Sequence, residues 1–85
     1  MKEFSYTVKD PLGIHARPAG MLVKVAAQYQ STISIDRGDK KADAKRIMAV
    51  MSLGIKQGTT VVICCEGEDE VEACNEIKTF FEHNL

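Results

Sequence analysis

The chain has almost no net charge: 11 Lys and Arg stand against 12 Asp and Glu, a formal balance of −1. It therefore lacks the broad basic field that nucleic-acid binding requires, and a nucleic-acid partner is not expected. It also lacks any apolar run approaching the roughly 20 residues needed to cross a bilayer, so no direct membrane insertion is expected. Met1-Lys2-Glu3-Phe4-Ser5-Tyr6 has no apolar signal-peptide core and already reads as a strand, which leads to the expectation of a cytoplasmic protein. Internal repeats, low-complexity tracts and linkers are absent, and residues 1–85 are expected to form a single domain. The cysteines are too few and too oddly numbered for a disulfide framework. Cys64, Cys65 and Cys74 have no metal-type spacing, and adjacent Cys64 and Cys65 point to opposite faces of a strand. They read as small apolar packing residues, with Cys65 and Cys74 facing the core between the last strand and the last helix. No metal and no cofactor are expected.

What is present is a normal globular composition, 45% hydrophobic, with clear periodicities. Phe4, Tyr6 and Val8 alternate with Glu3, Ser5 and Thr7 as in a half-buried strand. Asp10-Pro11-Leu12-Gly13 breaks the pattern. From Ala16 to about Gln28 the period is helical, with Ala19, Leu22, Ala26 and Tyr29 on one stripe. Thr32 to Asp36 alternates again, Arg37-Gly38-Asp39 makes a turn, and Lys40 to Asp43 reads as a short edge strand. Arg46 to Leu53 is a short apolar helix ended by Gly54. Thr59 to Cys65 is nearly continuously apolar and rich in β-branched residues, as in a central strand. After an acidic turn, the last helix is expected to place Val71, Cys74, Ile77 and Phe81 on one face. This order, βαββαβα, predicts an α+β two-layer sandwich. Periodicity does not fix the order in which the strands pair.

The chemistry concentrates in Gly13-Ile14-His15-Ala16-Arg17-Pro18-Ala19. His15 stands at the entry of a helix, where the first N–H groups lack internal partners and the macrodipole is positive. Arg17 adds a fork-shaped cation, and Pro18 removes an N–H that would be unpaired in any case. A cation in a first turn is mildly unfavourable by itself, which favours an anion-binding role for Arg17. The arrangement suits a histidine that carries a phosphoryl group, with the helix N-terminus at Ala16 and Arg17 holding the added charge. His83, in the last turn of the last helix, reads as a capping or solvent-exposed residue. No second catalytic base, metal cluster or phosphate-cradling glycine loop is evident, so a free-standing hydrolase or metal enzyme has no support.

The Ile-His-Ala-Arg-Pro-Ala string and Lys45-Arg46-Ile47-Met48-Ala49-Val50-Met51-Ser52-Leu53-Gly54 together resemble the HPr family, over essentially the whole chain. These are the histidine-containing phosphocarriers of the bacterial phosphoenolpyruvate:sugar phosphotransferase system. The resemblance implies a four-stranded antiparallel sheet with three helices on one side, and phosphorylation of His15 at Nδ1 by enzyme I. Donation to the IIA domains of sugar permeases follows. The protein would then be a phosphotransfer intermediate, not a stand-alone turnover enzyme, and a monomer is the simplest expectation. The resemblance also implies a docking patch of Ala16, Gly20, Val23, Lys24, Ile47, Met48 and Met51 beside the histidine. Many members carry a regulatory serine where this chain has Arg46, which cannot accept that phosphate. An HPr-fold regulatory module acting through protein contacts is the competing reading, but such a module would more naturally keep the serine and dispense with the histidine.

Overall fold

The computed structural model describes residues 1–85 as seven elements: β1 (Lys2–Thr7), α1 (Ala16–Ala27), β2 (Thr32–Asp36), β3 (Lys41–Asp43), α2 (Ile47–Ser52), β4 (Thr60–Glu66) and α3 (Glu70–Asn84). The four strands form one antiparallel sheet in the order β1-β4-β2-β3, with three helices, the expected α+β open-faced sandwich. The β-branched run of β4 lies in the centre, paired with β1 from Lys2↔Cys65 to Thr7↔Thr60 and with β2 from Thr32↔Glu66 to Asp36↔Val62. The lysine-bearing β3 is a three-residue edge strand.

Strand alternation supplies one wall of the core: Ile33, Ile35, Val61, Ile63 and Cys65 are fully enclosed, while Ser34, Val62 and Cys64 on the other face stay half-buried. The helices close the other wall with Ala19, Leu22 and Ala26 of α1, Val50 of α2, and Ala73, Ile77, Phe80 and Phe81 of α3. Here one expectation is corrected. Val71 is 54% exposed, and Ala73 and Phe80 take places on the buried stripe. The reason is geometric. Each three-residue step from Val71 to Cys74 to Ile77 falls about 60° short of a full helical turn, so Val71 ends about 120° from Ile77 around the helix. Cys65 and Cys74 do meet between β4 and α3, Cys65 buried and Cys74 packed at the margin of the core.

The topology brings three segments to one end of the sheet. β4 starts beside the end of β1, and α3 then runs back along β4. Fifteen helical residues span about 20 Å and seven strand residues about the same, so α3 ends where β4 began. There the Lys9 and Asp10 N–H groups donate to the Leu85 carbonyl oxygen at 2.6 and 2.8 Å. The loop from β1 into α1, which carries His15, thus lies against the C-terminal end of α3. No helix is long and apolar enough to cross a membrane.

Candidate functional site

The loop that presents His15 is tightly defined. Asp10 Oδ1 accepts the Leu12 N–H at 2.8 Å, the Asp10 carbonyl accepts the Gly13 N–H at 2.9 Å, and Ile14 N–H donates to the Ile55 carbonyl at 3.0 Å. Gly13 has φ +66°, and a Cβ there would stand 2.2 Å from the Ile55 carbonyl oxygen; the close passage of two backbones demands glycine. Ile14 and Pro18 are buried and anchor the loop on either side of the histidine.

His15 is the N-cap residue of α1, in extended conformation (φ −94°, ψ −173°), and its imidazole makes no capping hydrogen bond. Its carbonyl oxygen accepts the Ala19 N–H at 3.0 Å. The Ala16 and Arg17 N–H groups have no acceptor within the protein, and Pro18 has no N–H. No acidic residue lies in the first turn of α1 itself. Arg17 is exposed and takes part in neither ion pair of the structure. A half-exposed imidazole, an unpaired guanidinium and free N–H donors at a positive helix end make an anion-accepting group around a potential nucleophile.

His15 and Arg17 open onto a polar cleft of about 280 Å³ whose far side is formed by His83 and Asn84 of α3. His83 is exposed, as its sequence position indicated, but its nearness to His15 was not anticipated from the sequence. The matching lengths of α3 and β4, once their antiparallel packing is known, carry that signal. No three His, Cys, Asp or Glu side chains converge as a metal-binding group. Cys64 and Cys65 are not poised as nucleophiles: burial, with Cys74 beside it, pushes Cys65 up to about 12, and burial and Glu3 raise Cys64.

Of the residues expected to dock partners, Ala16, Gly20, Val23 and Lys24 lie on α1, which His15 caps, and Ile47, Met48 and Met51 lie on α2. Ile47, Met48 and Met51 are exposed by 39%, 75% and 38%, while Val50 and Leu53 of the same segment turn into the core. Met48 is nearly as open as a free side chain, which is unusual for a large apolar residue. Gly20 ties the two helices of the patch together: a Cβ there would meet Ile47 Cδ1 at 3.7 Å, an ordinary contact. Ala16 and Lys24 are exposed and Val23 half-buried on the same helix. Arg46 is the exposed N-cap residue of α2 and borders a shallow groove with Ile47 and Met48. Ser52 donates its hydroxyl to the Ala49 carbonyl at 2.8 Å, the helix-end role its position suggested.

Comparison with known proteins agrees with the fold. The family model described as "PTS HPr component phosphorylation site" matches residues 2–83. The phosphocarrier protein HPr of Lysinibacillus sphaericus is 46% identical over 79 residues, covering 93% of this chain and 90% of that protein. The crystal structure of an HPr from Thermoanaerobacter tengcongensis superposes with a TM-score of 0.91 at 41% identity, covering 96% of this chain and 92% of that one. The Bacillus subtilis catabolite-repression protein Crh, solved as a swapped dimer, superposes with a TM-score of 0.78 at 33% identity over 100% of this chain and 98% of that one. With the family model matching residues 2–83 and a relative 46% identical over 93% of the chain, this chain belongs to the HPr family.

Proposed function

We propose that the protein carries phosphoryl groups on His15, accepting them from enzyme I of a phosphoenolpyruvate-dependent phosphotransferase system and passing them to IIA domains. The observation that carries this reading is the His15 imidazole, free of any capping bond, beside the unpaired Ala16 and Arg17 N–H groups. A neutral imidazole nitrogen, Nδ1 by analogy with the family, attacks phosphorus as the donor's bond to phosphorus breaks. The new P–N bond leaves roughly −1.5 to −2 charges at the helix end. The helix N-terminus and Arg17 offset that charge, and the N–P bond remains easy to transfer onward. Ala16, Gly20, Val23, Lys24, Ile47, Met48 and Met51 form the surface against which successive partners dock, with methionine side chains adapting to different faces. Arg46 adds a cation at its rim, steering acidic partners.

Structural likeness to Crh supports a second reading, regulation by protein contact alone. Retention of His15 and the replacement of the regulatory serine by Arg46 both favour phosphoryl carriage. Incubation with phosphoenolpyruvate and enzyme I, followed by intact mass at mildly basic pH, separates the two. One acid-labile phosphoryl group is expected, absent from a folded His15→Ala variant, with transfer slowed roughly tenfold or more in Arg17→Ala. A wild-type protein that stays unmodified with its cognate enzyme I sinks the carrier reading.

A further inference from the structure

Two histidines share the cleft beside the phosphorylation site. His83 comes from the last turn of α3, His15 from the start of α1, and Asp10, Arg17 and Asn84 complete the polar lining. The Leu85 carbonyl, bonded to the Lys9 and Asp10 N–H groups, holds that turn of α3 in place. His83 belongs to neither ion pair of the structure. Its surroundings are electrically mixed: Arg17 faces it from α1, Asp10 from the β1–α1 loop, His15 across the cleft, and Glu82 precedes it on its own helix. The Asn84 side chain is turned away to the Phe80 carbonyl at 3.0 Å, leaving His83 as the α3 group able to become a cation there.

Resting on the phosphocarrier reading, we infer that His83 is a positioning residue for phospho-His15: as an imidazolium it offsets the phosphoryl charge across the cleft and makes the phosphorylated state pH-dependent. Asp10 lies in the same cleft and opposes an added anion, whereas Arg17 alone supplies a fixed cation. A protonated His83 doubles the cationic groups facing the phosphoryl oxygens. The charge exists only on the protonated ring, so the extra stabilisation is present at acid pH and lost as pH rises. No group is transferred to His83; it acts through charge alone.

The test is a partition experiment. Wild type and His83→Ala, distinguishable by mass, are mixed in equal amounts with catalytic enzyme I and a limiting amount of phosphoenolpyruvate. Reversible transfer through enzyme I then distributes phosphoryl groups between the two carriers according to their stability. At pH 6 the wild type is expected to hold about fivefold more phosphoryl than the variant, falling toward equal shares at pH 8.5. His83→Lys should keep the preference at both values. Equal partition throughout, or a preference that does not change with pH, overturns the role of His83 while leaving carriage on His15 intact. Absence of phosphorylation on either protein overturns the carrier reading itself, and this proposal with it.

Discussion

At the scale of single residues, Asp69 shows how one side chain serves two neighbouring segments. It precedes α3 as the N-cap residue but makes no capping bond; its carboxylate reaches across to the start of β2. There it accepts the Gln30 and Ser31 N–H groups at 2.8 and 2.9 Å, and the Ser31 hydroxyl as well. Ser31 is the one buried polar residue, so Asp69 satisfies a hydroxyl that would otherwise be costly to enclose. The Ser31 hydroxyl first, and then the Gln30 N–H, hold the Asp69 carboxyl below its ordinary value. A folded state that binds the proton less tightly than the unfolded chain gains stability above the unfolded value of about 3.9. That gain disappears as pH falls through the lower folded value. Asp69→Ala should therefore lower the urea midpoint clearly at pH 7, with the gap from wild type narrowing below about pH 4. An equal gap at pH 7 and at pH 2.5 would remove the charge from the explanation.

At the scale of elements, the segment from Asp10 to Ala16 decides where the site is built, and Gly13 is its tightest point. An alanine at φ +66°, with its Cβ driven into the Ile55 carbonyl, combines backbone strain with a clash against main chain that cannot swing aside. Gly13→Ala should cost about 2–4 kcal/mol in urea unfolding and slow phosphorylation of the molecules that remain folded. Unchanged stability would mean that the loop has another conformation open to it. The need for glycine here was not readable from the sequence, because Ile55 is 42 positions away and no local pattern pairs them. The elements themselves were legible. Alternation marked β1 and β2, the β-branched run marked β4 as central, and Gly54 stands at φ +62° just beyond α2. Strand order was not, since a period reports which face a residue takes and says nothing of the neighbouring strand. The helical stripe drawn through Val71 failed for a related reason: repeated three-residue steps look regular in sequence while drifting around the helix.

At the scale of the whole molecule, the core depends on very few large side chains. Four of the five aromatic residues gather in one cluster, where Phe81 meets Phe4, Tyr6 and Phe80 edge-to-face at 5.9, 5.5 and 6.0 Å. This cluster joins the outer strand β1 to α3, which in turn brings the end of α3 to the His15 loop. A chain of this length has a total stability of roughly 4–13 kcal/mol. Removing a buried phenylalanine ring costs about 3–5 kcal/mol, a large share of that total. Phe81→Ala should therefore shift the urea midpoint far down or leave the chain largely unfolded at 37 °C. Val71→Ala, on the same helix but in solvent, should stay within about 0.5 kcal/mol of wild type. Phe81→Leu keeps most of the apolar volume without the edge-to-face contacts, and an intermediate loss is expected for it. If instead Phe81→Ala unfolds at the wild-type midpoint, α3 is not held through this cluster, and the packing that sets His83 beside His15 comes from Ala73 and Ile77 of its buried stripe together with the Leu85 hydrogen bonds.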